Sequence, residues 1–455
     1  MNTPIKIAVI GAGSMSFGPG TIRDVMLSDA LNEAGIELML MDTIAEHLPD
    51  RESYARNLAK QLKRNARIRS TTSLDEAIDG ARYVVTAIEV DRYVYWAQDF
   101  HVPRQYGFPQ IYGENGGPGG LFHALRNMGP MLHIAQRMEE LCPDALLLNF
   151  TNPESKLCQA VSMLTKTKTI GLCHGVAMGR HQIASLLEMP VEDLETAACG
   201  MNHFTWFETV RHRATGEDLY PLLRGKERAA DPLAHWDELA LSRICLRVFG
   251  LWPSPGTNHI GEYVRWSQEF LASTALQYYY DPADGHPWEA GRAPRFIYSL
   301  EGNPTSVPLF PGRKAGTAAS APAREEQLLP SGELAVPIME ALSCGVAHSL
   351  GAVNVPNSGA IPGMDDDIVV EAPAEADGTG LRPWRMKRLP EAVTAMLRLQ
   401  GSIQKLLVEA YAGQSRRTLL QAVLLDPTAS SYRNAVAMIN EMCTLQKELL
   451  PPMTW

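Results

Sequence analysis

Short apolar, β-branched runs alternate with amphipathic stretches through the first part of the chain. "IKIAVI" (5–10) stops at Gly11 and predicts a strand, with helical spacing following to about residue 34. "IELMLMD" (36–42) predicts a second strand closed by an acid, then the helix-like "AEHLPDRESYARNLAKQL". "ARIRST" (66–71) reads as a third strand and "SLDEAIDGA" as a short helix with Ser73 as N-cap. "RYVVTAIE" (82–89) predicts a fourth strand, and "LRNMGPMLHIAQRMEELCP" (125–143) has helical spacing that ends at a proline. "ALLLNF" (145–150) and "TIGLCH" (169–174) predict strands five and six, separated by the helix-like "ESKLCQAVSMLT". Apolar strands alternating with amphipathic helices predict an α/β fold with a parallel sheet covered on both faces. Six strands in this rhythm fit the doubly wound (Rossmann) dinucleotide-binding sheet. After about residue 195 the rhythm breaks into mixed signals. It ends in long helical sequence, "LPEAVTAMLRLQGSIQKLLVEAYAG" and "SYRNAVAMINEMCTLQKELL". We therefore expect a nucleotide-binding domain over 1–195 and an α+β domain over 196–455 that supplies substrate, metal and oligomer contacts.

Composition narrows the class. The 455 residues are 45% hydrophobic and 20% charged, ordinary for a water-soluble globular protein. The formal net charge is −10 and no Lys/Arg run occurs, which argues against nucleic acid or an anionic membrane as partner. The N-terminus runs straight into a strand, and no apolar stretch is long enough to span a bilayer, so a cytoplasmic protein is expected. Seven cysteines lie at 142, 158, 173, 199, 245, 344 and 443 without framework spacing, as expected of reduced thiols. The Ala-, Gly- and Pro-rich stretch 312–332 reads as a surface excursion.

The turn after the first strand reads "GAGSMSFGPG". Gly11 and Gly13 match the first two glycines of a phosphate-cradling turn, with Ser16 at the third place. The first glycine permits the tight turn; the second lets backbone N–H groups approach a pyrophosphate. Ser14, Met15 and Phe17 of the same turn are candidate cofactor contacts, as is Glu89 at the end of the fourth strand. Asp42 closes the second strand, where a carboxylate accepts hydrogen bonds from ribose hydroxyls and repels a 2′-phosphate. NAD is therefore favoured over NADP; the alternative is that Asp42 merely caps a loop.

In open α/β sheets ligands bind beyond the carboxyl ends of the strands. Asn149 and Asn152 end strand five, Cys173 and His174 end strand six, and "CGMNHFTW" brings Asn202 and His203 from further on. A thiol beside an imidazole can be a metal ligand, a nucleophile pair or plain packing. Thiolate and imidazole together suit a divalent transition metal with open positions for substrate and water, and Cys173 with His203 could supply two such ligands. The bland alternatives are a buried inert thiol and a hydrogen-bonded interior histidine.

Several stretches jointly resemble glycoside hydrolase family 4, the NAD- and manganese-dependent glycosidases. They are "IAVIGAGSMSF", "YGENGGPGGLFHALRN" (112–127), "NFTNPES" (149–155), "GLCHGV" (171–176), "GMNHFTW" (200–206), "NHIGEYVRW" (258–266) and "AVNVPNSGAIPGMDDDIVVEAPA" (352–374). The resemblance implies a lactate/malate-dehydrogenase-like fold, tightly held NAD, and Mn²⁺ on Cys173 and His203. It implies that Asn152 touches the sugar near the metal and that Glu114 and Asn115 contact sugar hydroxyls. It also implies a homodimer or homotetramer. Hydrolysis in this family runs through oxidation at sugar C3, removal of the C2 proton and elimination, not through two carboxylates. Tyr263 in "GEYVRW" is our candidate C2 base, its phenol activated by the metal or by Arg265, with Tyr278, Tyr279 and Tyr280 as rivals. His259 can orient substrate or complete the metal's surroundings, and His174 can assist the leaving oxygen or bind a sugar hydroxyl. One departure stands out: Asn115 passes directly into Gly116, Gly117 and Pro118, where many members carry extra residues.

Phosphosugar members typically have Asn after the metal cysteine. Here His174, Gly175 and Val176 follow, a run that resembles α-glucuronidases and α-galacturonidases and leads us to expect an α-uronide. A C6 carboxylate wants an arginine, and Arg92, Arg265, Arg292 and Arg295 are available. The runner-up is a neutral α-galactoside or α-glucoside. A malate/lactate-type dehydrogenase and an inactive nucleotide sensor remain the alternatives of other classes.

Overall fold

The computed structural model describes residues 4–14, 17–229, 236–270, 285–292, 297–298, 306–307 and 328–455. Met15, Ser16, Tyr278, Tyr279, Tyr280, Arg295 and most of the 312–332 stretch lie outside the described residues.

Strand β1 (Ile5–Ile10) pairs in parallel with β2 (Ile36–Met41) and β4 (Tyr83–Thr86). β2 carries β3 (Arg67–Thr71); β4 carries β5 (Leu146–Asn149), which carries β6 (Lys168–Gly171). The order 3-2-1-4-5-6 is that of a doubly wound nucleotide-binding sheet. The helices between them are α1 (Gly18–Leu27), α2 (Asp29–Ala34), α3 (Leu48–Gln61), α4 (Leu74–Ile78), α5 (Arg92–Gln105), α6 (Gly117–Leu141) and α7 (Glu154–Leu164). Side chains alternate between faces. Ala8 and Ile10 pack with α6 and α7, while Ile7 and Val9 pack with α1 and α3. With both faces covered, these strands are apolar nearly throughout; each large side chain buried contributes about 1.5–3 kcal/mol.

Ser73 caps α4 through its hydroxyl, which accepts from the Glu76 amide at 3.3 Å, as the sequence predicts. Three of the boundaries that differ from expectation bear on the site. β4 ends at Thr86 rather than near 89, because the chain turns away where Gly11 crosses the Ala87 carbonyl. α6 begins at Gly117 rather than near 125: the Gly-Pro-Gly-Gly run opens the helix, with proline tolerated in the first turn. Its glycines are needed for close approach, since a Cβ on Gly119 would fall 2.2 Å from the Asp99 carbonyl oxygen. β6 ends at Gly171, so Cys173 and His174 stand in the turn leading into α8 (Gly175–Leu187).

Beyond residue 190 the strands run antiparallel and extend the same sheet. β7 (Leu194–Met201) and β8 (Phe204–His212) form a tight hairpin, and the short β9 (Pro253–Ser254) pairs with β8. Helices α9 (Tyr220–Ala229) and α10 (Trp236–Phe249) and the single turn α11 (Thr257–Ile260) surround it. β10 (Ile297–Tyr298) and β11 (Ser306–Val307) make a separate parallel pair. After α12 (Ala335–Cys344), β12 (His348–Pro356) docks antiparallel on β6, and β13 (Val369–Asp377) bridges β12 to β7 and carries β14 (Gly380–Pro383). Helices α13 (Glu391–Ala412), α14 (Arg416–Leu425) and α15 (Tyr432–Leu445) pack over α6 and α7. Among the described residues, no helix is long and apolar enough to cross a membrane.

One cross-strand row runs through the strand ends: Thr86, Asn149, Gly171, Asn354, Glu371, Gly200 and Thr205 are successive register partners. It joins the parallel half of the sheet to the antiparallel half just beneath the turns that carry Cys173 and His203.

Candidate active site

The glycine turn is built for close approach. Gly11 adopts φ +82°, and a Cβ there would meet the Ala87 carbonyl oxygen at 2.3 Å. Gly18, which the sequence reading passed over, does the third glycine's work: a Cβ on it would strike the Ala12 carbonyl oxygen at 2.3 Å. Asp42 is buried, and its carboxylate accepts from the amides of Gly13 (2.8 Å) and Ile44 (2.9 Å), so it braces the turn itself. Ser14 Oγ accepts from the Phe17 amide at 3.3 Å, and the Phe17 ring stacks on Phe150 at 4.8 Å.

Glu89 sits deeper. It is paired with His123 Nε2 (2.9 Å) and Arg92 Nη1 (3.2 Å). Burial opposes its ionisation, but the charges of His123 and Arg92 outweigh burial and hold the carboxyl well below the usual range. Arg92 reaches on to Glu114 (2.8 Å) and lies over the Trp96 ring at 4.0 Å. Glu89 and Glu114 thus both engage this guanidinium.

The loop carrying Glu114 and Asn115 is held by two residues absent from our sequence reading. Glu262 accepts the Glu114 amide at 2.8 Å and the Asn115 amide at 3.1 Å; burial pushes its carboxyl up to about 8. Lys156 donates to the Asn115 carbonyl at 2.5 Å, and burial lowers its ammonium to about 8. No periodicity marks either, because both sit beside functional segments and point inward. Asn152 precedes a cis proline, and its carbonyl accepts from Asn127 at 3.0 Å.

Cys173 Sγ lies 3.3 Å from His203 Nε2. His203 is the second residue of a two-residue hairpin loop (Met201 pairs with Phe204) and takes φ +62°. That left-handed backbone costs a non-glycine residue about 1 kcal/mol and aims the ring back over the sheet. The His259 ring lies 4.2 Å from it, and one ligand atom each of Glu114, His203 and His259 fall within 4.8 Å of one another. The Nδ1 atoms of both histidines are buried with no partner among the described residues. Burial, then His259, holds His203 well below its ordinary value, leaving a neutral ring. Burial, then Glu371 and Glu154, pushes the Cys173 thiol well up.

Tyr263 is buried, stacks on Phe204 at 5.0 Å and donates to the Asn202 carbonyl at 3.3 Å. The expected activation by Arg265 does not match the geometry: Arg265 is exposed, and burial raises the Tyr263 phenol well above its usual value. The cation near its ring is Lys156, with Nζ 5.7 Å from the centroid. His174 is exposed and faces Glu333 at 3.2 Å; that hydrogen bond raises its imidazole.

Cys173 and His174 line a cavity of about 470 Å³ with Arg180, Arg213, Glu333 and Trp384. Arg180 and Arg213 bond backbone carbonyls (Leu194 at 3.0 and 2.8 Å among them) and have no carboxylate partner among the described residues. Of the arginines picked from sequence, Arg92 is consumed by Glu89 and Glu114, while Arg265 and Arg292 are exposed and do not line this cavity; Arg213, also exposed, does.

Comparison with known proteins adds the following. The profile described as "Family 4 glycosyl hydrolase" matches residues 6–189, and that of its C-terminal domain matches 198–429. An α-glucosidase of Erwinia rhapontici is 29% identical across 98% of this chain and 98% of its own. An α-galacturonidase of Thermoanaerobacter italicus is 27% identical across 98% of this chain and 97% of its own. A solved 6-phospho-α-glucosidase from gut microorganisms, in complex with NAD and Mn²⁺, superposes with TM-score 0.76 at 21% identity, covering 99% of this chain and 100% of that one.

Proposed function

Because the chain belongs to the family 4 glycosyl hydrolases, we propose that it cleaves an α-glycosidic bond with bound NAD and a divalent ion, manganese by preference. The observation that carries this reading is the 3.3 Å approach of Cys173 Sγ to His203 Nε2 at the carboxyl edge of the sheet. Thiolate and imidazole are ligands a divalent transition ion accepts, and Cys173 and His203 are close enough together that they would hold one between them. The unpartnered Nδ1 atoms of His203 and His259 suit an environment built around a cation. When bound, NAD supplies hydride acceptance at sugar C3 and the ion supplies stabilisation of the charge that develops when C2 is deprotonated.

The remaining roles belong to the chain's own groups. Gly11, Gly13 and Gly18 let the turn pack closely against Ala87, Asp42 and Ala12, and Asp42 and Phe17 hold it in the shape that would receive the pyrophosphate. Glu114 and Asn115, fixed by Glu262 and Lys156, present acceptors and donors to sugar hydroxyls, as does Asn152. Tyr263 takes the C2 proton; burial and the neighbouring Glu262 hold the phenol protonated at rest and make it a strong base once ionised, with Lys156 Nζ 5.7 Å from its ring centroid. To His174, exposed and with its imidazole raised by the Glu333 hydrogen bond, we assign protonation of the leaving oxygen.

For the glycone we propose an α-uronide. The support is the Cys173-His174-Gly175 run together with Arg180 and Arg213 on the Cys173 cavity, guanidiniums with no carboxylate partner among the described residues. A neutral α-glucoside is the second reading, favoured by the Erwinia relative's activity. Assay p-nitrophenyl α-glucuronide, α-galacturonide, α-glucoside and α-galactoside with NAD⁺, Mn²⁺ and a reductant. Hydrolysis without NADH accumulation supports the proposal. Stoichiometric NADH from a hydroxy acid without glycoside hydrolysis refutes it.

A further inference from the structure

Cys173 and His203 stand on separate segments, the turn after β6 and the tip of the β7–β8 hairpin. β6 and β7 are not neighbours: β12 and β13 lie between them in the sheet. The alignment of sulfur and nitrogen is therefore transmitted across two strands. Backbone pairing there is thin, since β12 meets β6 at the single register pair Asn354–Gly171, and β13 meets β7 at Glu371–Gly200.

One side chain spans the gap. Glu371 is fully buried, 1% exposed. Its carboxylate accepts from Asn354 Nδ2 at 3.2 Å, from Asn202 Nδ2 at 3.5 Å and from the Thr205 hydroxyl. Asn354 is the register partner of Gly171, two residues before Cys173. Asn202 and Thr205 flank His203 on both sides within the hairpin. The same carboxylate thus grips the hairpin fore and aft of a residue with left-handed backbone and ties it to the strand beside β6. Three donors converging on two oxygens fix its rotamer as well as theirs.

We propose that Glu371 is the positioning residue of the ion site, holding the His203 hairpin in register with the Cys173 turn. This rests on the assignment of Cys173 and His203 as ion ligands. Its action is geometric, through hydrogen bonds, and does not require contact with ion or substrate. Glu371→Gln therefore preserves it: the side-chain amides of Asn202 and Asn354 can turn over to accept from the new amide, and the Asn354 oxygen is otherwise unpartnered among the described residues. Glu371→Ala abolishes it.

The test is Co²⁺ titration of the full-length protein, reading affinity together with the thiolate-to-cobalt charge-transfer band that only a Cys–Co bond produces. Thermal unfolding checks that each variant is folded. Glu371→Ala is expected to weaken Co²⁺ binding at least ten-fold and to diminish the band, while Glu371→Gln stays within about three-fold of wild type. If the alanine variant does not fold, Thr205→Val, which removes one donor, and Asn354→Ser, which withdraws another from reach of the carboxylate, are each expected to weaken binding three- to ten-fold. A folded alanine variant with wild-type affinity and band overturns the proposal, as do unchanged Val and Ser variants. A glutamine variant as impaired as alanine also overturns it, because charge and not geometry would then be at work. A wild-type protein with no thiolate band instead refutes the ligand assignment itself, a different failure.

Discussion

Gly171→Ala tests the geometry beneath the site through a double-mutant cycle. A Cβ at Gly171 would lie 1.8 Å from Glu154 Oε1, 2.8 Å from its Cδ and 2.9 Å from Cys158 Sγ. Ordinary contact begins near 3.4 Å, so the carboxyl has to retreat by well over 1 Å. It has nowhere to go: Glu154 is 1% exposed, and Cys158 stands behind it at 1%. Overpacking of this kind costs about 1–3 kcal/mol. Glu154 makes the cycle informative, because neither of its oxygens has a hydrogen-bond partner among the described residues. Glu154→Ala removes the two nearest obstructing atoms without stranding a partner, leaving Cys158 Sγ at 2.9 Å as the one remaining close contact, and opens a void into which the alanine methyl at 171 can shift. The double variant is therefore expected to be more stable than the sum of the singles, with a coupling of at least about 1 kcal/mol, well above the ~0.3–0.5 kcal/mol scatter of independent sites. The assay is equilibrium unfolding in urea followed by tryptophan fluorescence, with Co²⁺ binding measured in parallel. The single Gly171 variant should also bind Co²⁺ more weakly, since Cys173 is two residues on. Additivity within 0.5 kcal/mol, or a Gly171→Ala protein as stable as wild type, would refute the packing described for this corner.

Cys173→Ser should abolish the cobalt charge-transfer band and lower metal-dependent turnover by at least 10³-fold; retained turnover removes the ligand assignment. Tyr263→Phe should lower kcat by 10²–10⁴ and suppress exchange of the sugar C2 proton with solvent deuterium, and unimpaired exchange would reassign the base. Arg213→Gln should raise KM for an α-uronide about ten-fold while leaving a neutral α-glycoside unchanged. Equal effects on both would argue for the neutral glycone. Glu262, buried and pushed up to about 8 from 4.5, binds a proton in the folded chain that the unfolded chain has lost between those values. Its contribution to stability is complete below pH 4.5 and falls by up to about 1.4 kcal/mol per pH unit as pH rises toward 8. Glu262→Gln, measured by urea unfolding at pH 5, 6.5 and 8, should flatten that fall; an unchanged slope would assign it to other groups.

Much of the parallel half was legible because burial on two faces writes itself as apolar runs: "IKIAVI" became β1 with its predicted bounds, and "IELMLMD" became β2 save its closing Asp42. The expected α/β class, with a parallel half followed by mixed structure, is the fold observed. Gly117 to Gly120 misled because glycine and proline signal a turn locally, whereas here they permit close approach at a helix start. That β12 and β13 insert between β6 and β7 was not legible, since strand order is set by contacts between residues some 180 positions apart in sequence. For the same reason Asn354 and Glu371 escaped notice: each is a polar residue with apolar neighbours on both sides until the register puts them side by side. Arg180 sits on α8 facing the cavity beside Cys173, and nothing in its local sequence distinguishes it from a surface arginine.

The ligand assignment of Cys173 and His203 is tested most directly by diffraction from Mn²⁺-soaked crystals on both sides of the manganese edge. A single anomalous peak within bonding distance of both Cys173 Sγ and His203 Nε2 is the expected result. A peak bonded to neither atom, or none at saturating Mn²⁺, would contradict it.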